Sequence, residues 1–136
     1  MGQILIIAGA SILGILGAIH LFLTFFTSKF DAYDASVTSA MKGTSLVLTK
    51  DTSIWKAWVG FNASHSLGCM MLAGLYIPLS WSHYEIIQQS IWFSILPALI
   101  AMFYLILAKA YWFKVPLIGI FISTICFVSA AVIINT

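Results

Sequence analysis

Long apolar runs dominate this chain, and four of them are long enough to cross a lipid bilayer. A transmembrane helix needs about 20 predominantly apolar residues. The four runs cover about residues 4–26, 55–79, 91–111 and 116–134. Between the first two lies the only sizeable polar segment, about residues 27–54. The pattern predicts an all-α protein, an integral membrane four-helix bundle that forms a single transmembrane domain over residues 1–136.

Capping residues and prolines mark positions within this pattern. Asp51, Thr52 and Ser53 precede the second run as candidate N-caps. Pro78 lies where we expect the second helix to stop. Pro97 lies inside the third run, where it leaves the carbonyl near residue 93 without its usual helical donor.

The composition agrees with a membrane protein. Hydrophobic residues make up 62% of the chain and charged residues 7%, against about 25% charged in an average soluble protein. Such scarce charge excludes a soluble globular domain, and such high hydrophobicity excludes disorder. The net charge of +2 is too small to indicate nucleic acid binding.

The lysines predict the orientation of the chain. All six lie in or beside the first and third loops, and the second loop and both termini have none. They are Lys29, Lys42, Lys50, Lys56, Lys109 and Lys114. The positive-inside rule therefore places the first and third loops in the cytoplasm and both termini outside it. We expect Lys56, Lys109 and Lys114, at the ends of spans, to form a rim at the lipid headgroups.

The first loop contains one short amphipathic segment. Residues 35–41 predict a helix with Val37, Ala40 and Met41 on one face. Two interpretations remain open: a connection resting on lipid headgroups, or a lid or docking surface for a partner.

Uncharged polar residues inside the spans are the candidate functional residues. Helical spacing places polar and aromatic side chains of the second span on one stripe. His20 and His65 each lie about nine residues from a lysine, on the order of 13 Å in from the cytoplasmic ends. The expected network or ligand pocket comprises His20, Thr24, Trp58, Asn62, His65, Ser66 and Tyr104.

Two rows of small residues predict close helix packing. One is Ala10, Gly14 and Ala18 on the first span, and the other is Gly60, Ser64 and Gly68 on the second. Small residues at this spacing let two helix backbones approach. The rows serve contacts either within the bundle or between copies.

Three interpretations of the polar residues remain open. In the first, they form a hydrogen-bonded network that fixes helix packing. In the second, His20 and His65 bind haem b, or a metal together with Cys69 or Cys126. In the third, they line a pocket for a lipid, a quinone or another lipophilic molecule. Hydrolytic catalysis is disfavoured because no acidic residue lies within a span to orient a histidine.

Three segments resemble a family of small bacterial four-pass membrane proteins. They are GAIHL from Gly17, WKAWVGFNASHSLG from Trp55, and AKAYWF from Ala108. The WKAWxGFNxSHSxG segment is the most specific. The resemblance implies the four-pass fold and the bacterial inner membrane, and it carries no assigned activity or catalytic residue.

The expected role is that of an accessory protein rather than an enzyme. It would form assemblies or bind lipid, with membrane lipids and either further copies or a membrane complex as partners. The alternative is a haem b- or metal-binding redox protein that uses His20 and His65.

Overall fold

A computed structural model describes all 136 residues of the chain, and helices account for nearly all of its regular structure. The helices are α1 (Gly2–Phe26), α2 (Ala35–Gly43), α3 (Ile54–Ser82), α4 (Tyr84–Gln89), α5 (Ile91–Tyr111) and α6 (Lys114–Asn135). The only β-type pairing is an isolated bridge between Ser45 and Ser53. The predicted all-α fold class is confirmed.

Three helices, α1, α5 and α6, are long and apolar enough to cross a membrane. This is compatible with a multi-pass membrane protein. Helix α3 has 29 residues, or about 43 Å at 1.5 Å per residue, so its length is sufficient. Its first half carries Asn62, His65 and Ser66, and because of these polar residues α3 is not among the helices that are apolar enough to cross a membrane.

Residues 1–16 and 69–136 form one compact unit, called here the large unit. Hydroxyl groups join its helices: Ser123 Oγ donates to the Gly9 carbonyl over 2.9 Å, and Thr124 Oγ1 donates to the Ala101 carbonyl over 3.3 Å. The two hydroxyls are buried and their acceptors belong to the helix backbone. These bonds therefore supply the partners that water would provide outside the interior. The largest buried side chains are Ile6, Leu13, Tyr76, Ile87, Ile120 and Phe127.

The predictions made from the prolines inside α3 and α5 have opposite outcomes. Pro97 lies inside α5 as expected, and the Tyr76 hydroxyl of α3 donates to the Phe93 carbonyl over 3.1 Å. Tyr76 thus replaces the donor that proline lacks. The prediction that α3 stops at Pro78 is wrong, because the helix continues to Ser82. A proline removes one backbone hydrogen bond, and α3 continues past that loss.

Residues 17–68 form the second compact unit, called here the small unit. It contains the end of α1, the first loop with α2, and the start of α3. Ser53 caps α3 as predicted, since its Oγ accepts from the Lys56 amide over 3.2 Å. The predicted loop helix is present as α2, and Asp34 caps it by accepting from the Ser36 amide over 2.8 Å.

Of the predicted apolar face of α2, only Met41 is half-buried. Val37 and Ala40 are exposed, and the buried residue of this helix is Thr38. Its hydroxyl accepts a hydrogen bond from the Ala32 amide over 3.0 Å. This hydrogen bond joins the buried side of α2 to the turn that precedes it.

Candidate functional site

A hydrogen bond between α1 and α3 is the centre of the candidate site in the small unit. His20 Nε2 lies 2.9 Å from Asn62 Oδ1. The amide nitrogen of Asn62 donates to the Trp58 carbonyl over 2.8 Å, so Oδ1 is the acceptor that faces the histidine. A carbonyl oxygen cannot donate, and His20 therefore carries a proton on Nε2.

The other predicted polar residues surround this bond. The His65 ring is 5.6 Å from the His20 ring, centroid to centroid, and nearly perpendicular to it at 70°. Ser66 is fully buried and donates to the Asn62 carbonyl over 3.0 Å. Thr24 donates to the His20 carbonyl over 2.8 Å. These hydroxyls bond to the helix that carries them, whereas the His20–Asn62 bond links α1 directly to α3.

An aromatic residue of the first loop completes the cluster. The Phe30 ring lies 4.5 Å from the His20 ring at an interplanar angle of 57°. Trp58 Nε1 donates to the Phe30 carbonyl over 3.2 Å. Sequence reasoning missed Phe30, which stands alone between Lys29 and Asp31 and shows no pattern that connects it to the spans.

The structure places six of the seven predicted network residues in the small unit, and Tyr104 in the large unit. There the Tyr104 hydroxyl forms a hydrogen bond with the Cys69 thiol. Its ring lies 6.5 Å from the Trp112 ring. Tyr104 therefore belongs to an internal contact of the large unit.

The rim lysines Lys56, Lys109 and Lys114 are exposed. None of them forms an ion pair, and the only ionic contact in the chain joins the exposed side chains of His83 and Glu85 at 3.7 Å. Exposure at the helix ends leaves these ammonium groups accessible to headgroup phosphates.

The two rows of small residues have different surroundings. A Cβ atom on Gly14 would lie 2.7 Å from the Ala73 Cβ, and Ala10 is fully buried. Ala10 and Gly14 therefore pack inside the large unit, whereas Ala18 is exposed and belongs to the small unit. A Cβ atom on Gly60 would meet nothing within 4 Å, and Ser64 and Gly68 are exposed. The α3 row has no partner within the chain.

The cluster is better suited to hydrogen bonding than to metal binding as it stands. The chain contains no group of three or more histidine, cysteine or acidic side chains that could hold a metal ion. With Nε2 bonded to Asn62, His20 can offer only Nδ1 to a metal, and a porphyrin between the two histidine rings would require the rings to separate. Cys69 and Cys126 are free thiols.

The chain was compared with protein-family models, curated proteins and solved structures. None of the three comparisons found a match. The chemistry of the site therefore follows from its own geometry: an imidazole that donates to a side-chain amide, and hydroxyls that donate to backbone carbonyls.

Proposed function

We propose that this chain is a four-span protein of the bacterial inner membrane, with α3 as the fourth span. The observation that carries the proposal is the 2.9 Å bond between His20 Nε2 and Asn62 Oδ1. Polar side chains on a membrane helix need partners inside the protein, and this bond supplies one for each helix. It supports placing the polar half of α3 in the bilayer against α1.

The proposed orientation follows from the lysines. All six cations lie at the first loop, the third loop or their margins, which favours a cytoplasmic location for both loops. Both termini and the segment that contains α4 then face outward.

The proposed role is structural and assembly-forming, with lipids as the surrounding partners and no catalytic residue. The His20, Asn62, His65 and Ser66 network holds α1 and α3 in one register. The exposed α3 row of Gly60, Ser64 and Gly68 then associates with a second copy, because small residues permit close approach of helices where side chains would keep them apart.

Energy transfer between labelled copies in proteoliposomes tests the assembly. We expect a signal for the wild-type chain and its loss in a Gly60→Leu/Ser64→Leu variant, because the larger side chains separate the helices. Ala110→Leu, at an exposed position on α5, is the matched control and should retain the signal. A wild-type chain that stays monomeric as protein density in the membrane rises would overturn the proposal.

Optical and metal analysis of the purified protein tests the redox alternative, which stays a prediction. A Soret band or a stoichiometric metal that disappears in the His20→Ala and His65→Ala variants would replace the structural role with cofactor binding.

A further inference from the structure

The polar loop of the small unit contains an ordered hairpin, residues 44–53. Its ends are joined by the Ser45–Ser53 bridge and by the Ile54 amide, which donates to the Thr44 carbonyl over 3.0 Å. Near its far end, Asp51 Oδ2 accepts from the Thr49 hydroxyl over 3.0 Å. These hydrogen bonds hold the hairpin closed, and Leu46 within it is half-buried.

The tip of this hairpin is apolar and fully exposed. Val47 has 109% and Leu48 has 91% of its reference surface accessible. Two adjacent aliphatic side chains without a contact are costly in water, and such exposed groups mark interaction sites. The tip therefore presents a surface that a less polar environment would cover.

Two contacts tie the loop to the level of the membrane surface. The Lys42 ammonium lies 5.0 Å from the centroid of the Trp55 ring, in the first turn of α3. Trp58 Nε1 donates to the Phe30 carbonyl on the other side of the loop. Tryptophan concentrates at the boundary between hydrocarbon and headgroups, so both ends of the loop are held at that depth.

The charge around the hairpin is complementary to an anionic membrane surface. Residues 42–56 contain three lysines, Lys42, Lys50 and Lys56, and one acidic residue, Asp51. All three lysine side chains are exposed or partly exposed. Each lysine near an anionic leaflet contributes about fivefold to binding.

From these observations we infer that the hairpin is a lipid-binding element. Val47 and Leu48 insert into the acyl region of the adjacent leaflet, and Lys42, Lys50 and Lys56 bind the phosphates of anionic phospholipids. The inference rests on the proposed membrane placement of α1 and α3, and it holds whether or not α3 associates with a second copy.

An environment-sensitive fluorophore on a Leu48→Cys variant tests the inference in nanodiscs of phosphatidylcholine with and without phosphatidylglycerol. The wild-type chain measures background labelling of Cys69 and Cys126. In anionic discs we expect a blue-shifted emission, quenching by nitroxides on the acyl chains and protection from aqueous iodide. A probe on Ser39→Cys, an exposed position of α2, should remain quenchable by iodide.

The lysines are tested by a Lys42→Gln/Lys50→Gln/Lys56→Gln variant that carries the same probe. It should lose the difference between anionic and neutral discs. Iodide quenching of the Leu48 probe equal to that of the Ser39 probe would overturn the inference. Protection from iodide without acyl-chain quenching would also overturn it, because a protein surface would then cover the tip. If the Leu48 probe on the chain with all its lysines responded equally in anionic and neutral discs, the assignment of the three lysines to anionic lipid phosphates would be overturned.

Discussion

A methyl group added to Gly14 tests the packing of α1 against α3 in the large unit. The new Cβ atom would lie 2.7 Å from the Ala73 Cβ, whereas two carbon atoms pack at about 3.5–4.0 Å. The helices must therefore move apart by about 1 Å. Ala73 is buried and Leu13, the neighbour of Gly14, has no exposed surface, so the strain extends into the core.

The expected cost combines two opposing contributions. Overpacking costs about 1–3 kcal/mol, and replacing glycine by alanine in a helix returns about 1 kcal/mol. We expect Gly14→Ala to lower the free energy of unfolding by about 1 kcal/mol. The assay is reversible unfolding of the purified protein in mild detergent, followed by helical circular dichroism.

Two variants make the result specific. Gly74→Ala adds the same methyl group where no atom lies within 4 Å, so it should be neutral or stabilising by about 1 kcal/mol. Gly14→Ala/Ala73→Gly moves the methyl group from one helix to the other and should restore nearly wild-type stability. The reasoning is refuted if Gly14→Ala is as stable as Gly74→Ala.

Three further predictions concern hydrogen bonds. A double-mutant cycle with His20→Ala and Asn62→Ala should give a coupling free energy of about 0.6–1.7 kcal/mol, measured by the same unfolding assay; additive effects would contradict the bond. Tyr76→Phe should cost about 1–3 kcal/mol because it leaves the proline-freed carbonyl of α5 unpaired, and a neutral result in that assay would exclude the role assigned to the hydroxyl. Hydrogen bonds from the Ser36 side chain and then its backbone amide hold the pKa of Asp34 below its usual 3.8; the cap is therefore fully present above pH 3.8 and is lost as the pH falls through the lowered pKa. Amide exchange in α2 should rise over that acid range in the wild-type chain and show no such step in Asp34→Asn.

The spans were predictable because their signal is local. Each of α1, α5 and α6 is a continuous apolar run, and α5 has the predicted bounds of residues 91–111. The end of α3 was not predictable from Pro78, because one missing backbone hydrogen bond does not by itself stop a helix that is buried at Leu72, Ala73 and Tyr76. The outcome depends on tertiary contacts that the sequence pattern does not contain.

The level of the two histidines along their helices was predictable, but the individual contacts of the candidate site were not. Equal distances from the flanking lysines placed His20 and His65 at one level, and their rings do approach. The positions of Phe30 and Tyr104 depend on the path of the loop and on the rotation of α5 about its axis. Hydropathy and spacing constrain neither of these, so Phe30 was missed and the contact of Tyr104 with Cys69 and Trp112 was not foreseen.

Nitrogen-15 NMR of His20 in lipid bilayers tests the central claim most directly. Because Asn62 presents only a carbonyl oxygen, we predict a protonated Nε2 whose resonance shows coupling to Asn62 and moves in the Asn62→Leu variant. A histidine protonated on Nδ1 alone, or an Nε2 resonance that does not change in that variant, would contradict the hydrogen bond on which the account rests.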